Sequence, residues 1–340
     1  MAYTTINKST DYFNTKLYSG SGAIQTVSGV GFEPSWIWTK SRTNAGNHQV
    51  TDQVRGLTKY IRPNATNAED TKTNAITAVN SDGFVLGADS SNDINASGQT
   101  YTSWSWRAGT TSGISAGSQN ITPSSYSINT TAGFGIYKWS RTGASTTDYF
   151  SHGLGATPTI AIQKRTDGAQ DWYVNYTFVD GSMDYMNLNK VDDYQNGSTT
   201  VPTSTNYYPK SPETGDYITY LFTPIQGYSK FGTYNANNNA DGPFIYTGFV
   251  PAFVMIKMWS GDESWFMYDN KRSPFNVRGK YLVADGTGTD SNADAFDFLS
   301  NGFKVRTTAS AFNGSGSKFI YMAFAEAPLV GSNNVPANAR

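Results

Sequence analysis

The chain has 340 residues, which is enough for two or three ordinary domains. Its formal net charge is −1 and only 15% of its residues are charged, so the composition does not favour a nucleic-acid partner. The absence of cysteine excludes disulfides, thiolate catalysis and cysteine-ligated metal sites.

The N-terminal segment, residues 1–12, predicts a polar leader. It contains neither the basic region nor the apolar region of a signal peptide. No later apolar run approaches the roughly 18 residues that a membrane-spanning helix needs. We therefore expect neither a signal peptide nor insertion into a membrane.

Two sequence signatures each occur three times along the chain. The first is Gly-x-x-Pro-x5-Lys, at residues 31–40, 155–164 and 248–257. The second follows at a nearly constant distance and is a glycine before alternating aromatic residues. Its copies are Gly98 before Tyr101, Trp104 and Trp106; Gly215 before Tyr217, Tyr220 and Phe222; and Gly316 before Phe319, Tyr321 and Phe324. The recurrence predicts three diverged copies of one β unit.

The signatures and the composition set the expected boundaries. Unit 1, unit 2 and unit 3 are predicted at residues 13–109, 128–225 and 226–328. A segment rich in threonine, serine and glycine predicts a linker at residues 110–127, and residues 329–340 predict an extended polar tail. Whether the three units pack in a line or in a triangle stays open at this point.

Within unit 1 the elements are predicted in chain order. An opening strand is expected near residues 17–18, and Pro34 begins a strand at residues 35–40, where no ladder N–H is needed. Residues 64–79 predict a loop. Residues 81–84 form an Asp-Gly turn, whose counterpart in unit 3 is Asn-Gly at residues 300–303. Unit 2 lacks this turn and is the degenerate copy.

The aromatic runs indicate the fold class. Alternate residues of a strand share a face, and the run at residues 319–324 is apolar on both faces, as in the central strand of a two-layer packing. Short strands joined by glycine-rich turns run through the whole chain. The predicted fold is all-β, with three tandem diverged β-sandwich repeats of the jelly-roll or lectin-like kind.

Candidate catalytic groups are few. The two histidines are expected in an exposed loop, His48, and in a turn, His152, with no recognisable nucleophile elbow. Pairs of acidic residues occur near residues 167–171 and 262–263. We expect these residues to cap hairpins, although paired carboxylates could also cleave glycans. We expect no catalytic residue and no cofactor.

One acidic segment resembles part of a calcium loop. Asp290, Asn292 and Asp294 match its first half, but the glycine and the bidentate glutamate of a complete loop are missing. A single calcium ion held partly by Asp285 and Asp297 is one interpretation. The other is a solvated acidic loop without metal.

The eight tryptophans are mostly predicted to be core residues, because large aromatic side chains in strands are usually buried. Trp139 and Trp259 differ, since each stands beside a turn-prone segment. They are the ligand-binding candidates, with an indole face on which the apolar face of a sugar could stack.

Several segments spread over the chain carry a resemblance to known proteins, and they are residues 3–6, 11–13, 17–22, 47–49 with Asp52, Arg55 and Gly56, 229–234 and 321–328. Together they resemble a family of virion proteins from marine tailed phages, often described as tail-fibre-like or concanavalin A-like. The resemblance covers essentially the whole chain and implies a β-rich structural component of the virion surface, synthesised in the host cytoplasm.

The sequence leads to one functional hypothesis with two alternatives. The first is a non-enzymatic tail fibre or tail appendage that attaches the phage to its host by multivalent contact with surface glycans. Its partners would be other virion proteins and further copies of the chain, in a homotrimer for example. The alternatives are a capsid decoration or head-fibre protein, anchored by residues 1–12 or 329–340, and a glycan depolymerase.

Overall fold

The protein is described by a computed structural model that covers residues 3–91, 93–114, 120–143, 147–198, 200–210 and 213–330. The described residues form antiparallel β-sheets, with one short α-helix, α1 (Ser310–Asn313), and a 3-10 turn at Ser9–Asp11. The all-β prediction is confirmed. None of the helices in the described ranges has the length and apolar character needed to cross a membrane.

Unit 1 folds into an inner sheet and an outer sheet. The inner sheet has the order β1-β9-β3-β4 and the outer sheet β2-β8-β7, while β5 pairs with β6. The prediction of a loop at residues 64–79 is wrong where β6 and β7 begin, because Ile76 is buried and pairs with Leu86. The strands are β1 (Phe13–Ser19), β2 (Gln25–Ser28), β3 (Trp36–Ser41), β4 (Gln49–Asp52), β5 (Lys59–Tyr60), β6 (Asp70–Thr71), β7 (Ile76–Asn80), β8 (Gly83–Leu86) and β9 (Thr100–Trp106).

Unit 2 forms one long sheet and a two-stranded pair. The long sheet has the order β10-β11-β18-β13-β14-β15-β16, and β12 pairs with β17. β10 begins inside the predicted linker, of which residues 115–119 lie outside the described residues. The strands are β10 (Ser125–Asn129), β11 (Phe134–Arg141), β12 (Phe150–Ser151), β13 (Ile160–Arg165), β14 (Tyr173–Tyr176), β15 (Met183–Asn187), β16 (Gln195–Ser198), β17 (Asn206–Tyr207) and β18 (Gly215–Phe222).

Unit 3 contains one curled sheet of eight strands in the order β19-β26-β21-β22-β23-β24-β25-β20. The Asn-Gly turn predicted at residues 300–303 joins β24 to β25, as the Asp-Gly turn joins β7 to β8 in unit 1. The strands are β19 (Ser229–Asn235), β20 (Phe244–Tyr246), β21 (Phe249–Met258), β22 (Phe266–Asp269), β23 (Arg278–Val283), β24 (Ser291–Leu299), β25 (Gly302–Val305) and β26 (Lys318–Pro328).

One four-stranded order recurs in all three units. The aromatic strand lies in the middle, between the opening strand and the lysine-bearing strand, in β1-β9-β3-β4, β11-β18-β13-β14 and β19-β26-β21-β22. The register also recurs, since Trp36 pairs with Trp106, Ile160 with Phe222, and Phe253 with Phe324. The signature glycines all have positive φ, which side chains rarely tolerate, and they are Gly31, Gly98, Gly155, Gly215, Gly248 and Gly316.

The inner faces of the three sheets bury one common core. Its centre is formed by three aromatic residues at equivalent positions of the central strands: Trp106, Phe222 and Phe324. Their ring centroids are separated by 6.4 Å, 5.5 Å and 5.8 Å, within the range of aromatic pairing. The three units therefore surround a shared core and do not follow one another in a line.

Each unit also has a private core on the outer face of its sheet. In unit 1 it contains Ile37 and Phe84, in unit 2 Trp139 and Tyr217, and in unit 3 a larger cluster around Phe296. Alternation along each strand sends neighbouring side chains to the two cores. Each unit therefore contributes side chains to two cores, its own and the shared one.

The predicted leader is packed against the molecule. Ile6 is buried in the shared core, Tyr12 contacts the ring of Tyr228, and the hydroxyl of Tyr3 donates to the carbonyl of Gly248. Residues 3–12 of the predicted polar leader are thus anchored to the shared core by Ile6 and Tyr12. Residues 331–340 of the predicted tail lie outside the described residues.

We predict that Trp106→Ala destabilises all three units together. Truncation of a buried tryptophan removes about 3–5 kcal/mol from the free energy of unfolding, and the shared core spreads this loss over the whole chain. Urea unfolding followed by tryptophan fluorescence and by circular dichroism should show one coincident transition at lower urea. Phe275→Ala is the control, since Phe275 is 81% exposed; loss of one unit alone would contradict the prediction.

Candidate functional site

The three signature lysines are buried at the junctions between units. Each follows two apolar side chains of the shared core on the same strand face, as Lys164 follows Ile160 and Ile162. Lys164 Nζ donates to the carbonyl of Thr66 in unit 1 at 3.1 Å, and Lys257 Nζ to that of Val191 in unit 2 at 2.6 Å. These two lysines therefore satisfy carbonyl groups of the preceding unit.

The third lysine, Lys40, donates to the carbonyl of Ser41 at 2.9 Å. Burial lowers the pKa of all three lysines to about 8, since an ammonium is poorly solvated inside the protein. Contacts across the junctions thus account for two of the three signature lysines, and Lys40 binds within its own unit.

Eight residues after each lysine, an aromatic N–H donates to a backbone carbonyl of another unit. Trp172 Nε1 donates to the carbonyl of Arg62 at 2.8 Å, and Trp265 Nε1 to that of Asn187 at 2.9 Å. His48 takes the third position, 2.9 Å from the carbonyl of Val283.

The tautomer of His48 follows from its neighbours. Trp38 Nε1 can only donate, and it lies 2.8 Å from His48 Nδ1, so Nδ1 accepts and Nε2 carries the proton given to Val283. Burial holds the pKa of His48 well below its ordinary value, which keeps the ring neutral. The expectation of an exposed loop histidine is wrong, because His48 is fully buried.

A backbone hydrogen bond completes each junction at the residue two positions after the lysine. The amide of Glu69 donates to the carbonyl of Thr166 in unit 2, that of Tyr194 to Trp259 in unit 3, and that of Asp290 to Arg42 in unit 1. Unit 1 thus contacts unit 2, unit 2 contacts unit 3, and unit 3 contacts unit 1. The three units form a closed ring.

The ring also contains two buried ion pairs at equivalent places. Arg55 Nε donates to Asp52 Oδ2 at 2.6 Å in unit 1, and Arg272 Nε donates to Asp269 Oδ2 at 2.6 Å in unit 3. A side chain from the next unit donates to the same oxygen, the hydroxyl of Tyr220 at Asp52.

At Asp269 the corresponding donor is the indole N–H of Trp104. In unit 2 the equivalent positions carry Tyr176 and Val179, so the pair is missing there. These buried charges therefore take part in contacts between units.

The proposed calcium residues lie at the junction between units 3 and 1. Asp290 accepts from Arg42 Nε at 2.8 Å and from Arg272 Nη1 at 3.2 Å, so both of its carboxylate oxygens have protein partners. Asn292 and Asp294 belong to β24 and not to a loop. In the described part of the chain, no three or more His, Asp or Glu side chains are grouped so as to hold a metal ion.

The other candidate groups occupy structural positions. His152 is buried, and its Nδ1 accepts from the amide of Leu154 at 3.1 Å. Asp167 pairs with Arg165 at 2.7 Å, and Asp171 pairs with Lys190 at 2.8 Å. The structure does not bring either histidine into contact with these acids.

The two candidate tryptophans have different environments. Trp139 is fully buried in the private core of unit 2, where Tyr217 stacks on it at 4.7 Å and Thr219 accepts its N–H. The prediction that it lies at the surface is wrong, because its side chain points to the outer layer of its own unit. Trp259 is half-buried at the junction between units 2 and 3.

Trp259 lines a cleft of 360 Å³. The ring of Tyr194 meets the indole edge-to-face at 5.0 Å, and the ammonium of Lys318 lies 5.1 Å from its centre. Trp259 Nε1 is buried without a hydrogen-bond partner. The lining residues come from both units and are Val179, Asp180 and Tyr194 from unit 2 with Thr233, Asn235, Trp259 and Lys318 from unit 3.

The cleft belongs to one junction of the three. Arg42 and Thr166 occupy the positions equivalent to Trp259, and Arg42 is tied to Asp290 by the ion pair described above. The turn beside Trp259 made it a candidate from the sequence, whereas Tyr194 was not one, since the variable segment of unit 2 carries no signature. Only the junction brings these two aromatic rings together.

A domain family described as a domain of unknown function, DUF7483, matches residues 8–328. The chain belongs to this family. The match spans all three units, so a single copy of the DUF7483 domain corresponds to the complete ring. A search of curated proteins found no match to this sequence.

We predict that the free energy of unfolding rises between about pH 8 and pH 9.5. The pKa of each buried lysine is about 8 in the folded protein and about 10.4 in the unfolded chain. In this window the unfolded state binds more protons, so raising the pH favours the folded state. Below pH 8 this gain is absent.

Urea unfolding at a series of pH values measures how steeply the free energy of unfolding rises with pH. We expect Lys164→Met to reduce this slope by about a third if the three lysines contribute equally. The control is Lys8→Met, because Lys8 has an exposed side chain. An unchanged slope in Lys164→Met would contradict the assignment of the effect to the buried lysines.

Proposed function

We propose that this protein is a non-enzymatic glycan-binding component of a phage virion, most simply a tail fibre or tail appendage that attaches to the host surface. The observation that carries the proposal is the Trp259 cleft, an aromatic and polar recess between two units. The chemistry of its lining suits a carbohydrate.

A sugar ring has an apolar face of C–H groups and a rim of hydroxyl groups. The indole of Trp259 and the ring of Tyr194 offer apolar surface to the C–H face. Asp180, Asn235 and Thr233 offer hydrogen-bond acceptors and donors to the hydroxyl groups. With a volume of 360 Å³, the cleft has room for a short saccharide.

Three diverged copies of one β-sandwich unit are part of this proposal. The recurring strand order, the six positive-φ glycines and the repeated junction contacts support a common origin. Because one junction of the three carries the aromatic pair, each chain would offer one cleft. Weak single sites would then gain avidity from copy number, for example in a homotrimer.

The virion assignment is supported by the sequence resemblance to tail-fibre-like proteins. A capsid decoration protein remains the second candidate. Its anchor at residues 1–12 fits the structure poorly, since Ile6 is buried in the shared core and Tyr3 is bound to unit 3. This packing favours the attachment role over decoration through the N-terminal segment.

We predict that Trp259→Ala lowers affinity for a bound glycan by at least about 10-fold, as expected for loss of an aromatic anchor. Fluorescently labelled protein on a glycan array would identify the sugar, and titration would give the affinity. Trp259→Phe should keep most of the binding, because a smaller ring remains. Phe244→Ala is the matched control, since Phe244 is a 44% exposed aromatic on β20 outside the cleft.

Two results would contradict the proposal. Glycan binding that survives unchanged in a folded Trp259→Ala protein would remove the cleft from consideration. Failure of the unmodified protein to bind host cells or to compete with phage adsorption would remove the attachment role. Antibody labelling of particles would then distinguish tail from capsid.

A further inference from the structure

Two aspartates of unit 2 lie beside the Trp259 cleft and share one hydroxyl group. Asp180 lines the cleft and is exposed, whereas Asp184, near the start of β15, is fully buried. Ser182 Oγ lies 2.7 Å from Asp180 Oδ1 and 3.1 Å from Asp184 Oδ1, and it can donate its proton to one of them. The two carboxylates are therefore neighbours, one at the cleft and one inside the protein.

Asp184 is incompletely paired. Its Oδ1 accepts from Ser182 and, at 3.4 Å, from the amide of Gly197, but its Oδ2 is buried without a hydrogen-bond partner. Burial raises the pKa of Asp184, and the negative charge of Asp180 raises it further. A buried carboxylate oxygen without a partner is unfavourable. This oxygen therefore requires a cation, a proton or bound water.

A buried hydroxyl group at the same place also lacks a partner. Tyr176 is 1% exposed, and its hydroxyl has no hydrogen-bond partner. Tyr176 stands directly opposite Asp184 in the β14–β15 pair, so the two side chains lie on the same face of the sheet. Burial raises the pKa of Tyr176, and nearby negative charges, chiefly that of Asp184, raise it further. The hydroxyl of Tyr176 is thus a neutral oxygen beside the two carboxylates.

Unit 2 has no positive side chain here to compensate these acids. Tyr176 and Val179 occupy the positions of the buried aspartate and arginine of units 1 and 3, so the guanidinium is missing. Among the described residues, no lysine or arginine forms an ion pair with Asp180 or Asp184. Two adjacent acids without a positive partner favour a bound cation over water or a single proton.

We infer that Asp180 and Asp184 hold a calcium ion to which hydroxyl groups of the bound glycan also coordinate. Ca²⁺ takes about six to eight oxygen ligands in a flexible geometry, whereas Mg²⁺ demands a near-ideal octahedron. The protein supplies the two carboxylates and the hydroxyl of Tyr176. No third acid is grouped with them in the described part of the chain, so sugar hydroxyl groups and water supply the other ligands. The role of the sugar rests on the proposed function.

Isothermal titration of the full chain with CaCl₂ and with MgCl₂, in the absence of glycan, tests the ion site. We expect saturable Ca²⁺ binding with a Kd of about 10⁻⁴ to 10⁻³ M, as in extracellular calcium modules, and Mg²⁺ binding at least about 10-fold weaker. Absence of saturable Ca²⁺ binding would mean that a proton or water satisfies Asp184, and it would overturn the inference. Equal affinity for Mg²⁺ would overturn the assignment to calcium.

Substitutions locate the ion. Asp184→Asn should weaken Ca²⁺ binding at least about 10-fold, because one of two charged ligands is lost. Since Asp184 is buried, Asp180→Asn, which alters an exposed residue, provides a second variant with the same expected loss. Asp241→Asn is the matched control, because Asp241 has a 79% exposed side chain outside the cleft. Unchanged Ca²⁺ binding in folded Asp180→Asn protein would place the ion elsewhere and overturn the assignment.

A glycan array in CaCl₂ and in EGTA separates the ion site from the proposed function. We expect glycan binding to weaken about 10-fold or more in EGTA, and Trp259→Ala to keep its Ca²⁺ affinity. Equal glycan binding in EGTA would overturn the coordination of the sugar by the ion and leave the proposed function standing. Ca²⁺ binding by a protein that binds no glycan would contradict the proposed function and leave the ion site standing.

Discussion

The structure depends on the burial of three inner sheet faces against one another. The outer layer of each unit covers only the outer face of its sheet, so the aromatic inner face stays open within the unit. Burial of large aromatic side chains provides the main favourable free energy. Trp106, Phe222 and Phe324 can be covered on all sides only if the three units close around them.

Closure of the ring brings strand ends and loops out of water, and their polar groups need partners. The backbone bridges and the aromatic N–H donors meet this need in the same way at all three junctions. Because the backbone holds each junction, the side chains there can diverge. One junction carries the Arg42–Asp290 ion pair, and another carries the Trp259–Tyr194 cleft.

Unit 2 shows how this divergence stays compatible with folding. Its Tyr176 and Val179 replace the buried aspartate and arginine of the other units, so both charges disappear together. Units 1 and 2 carry Trp104 and Tyr220, each of which donates a hydrogen bond to the buried aspartate of the preceding unit in the ring. Unit 3 has Met322 at the equivalent position. A lone buried charge would be costly, which explains why acid, base and donor are all absent at this junction.

The sequence by itself determined the all-β class, the two recurring signatures, the strands that carry them and the turns at their glycines. These features are local, since alternation and positive φ act within a few residues. Only the tertiary structure decided that the units share a core, that Trp139 and His48 are buried, and that Tyr194 meets Trp259. The physical reason is that alternation shows which side chains share a face, but the partner that covers that face comes from another unit, far away in the chain.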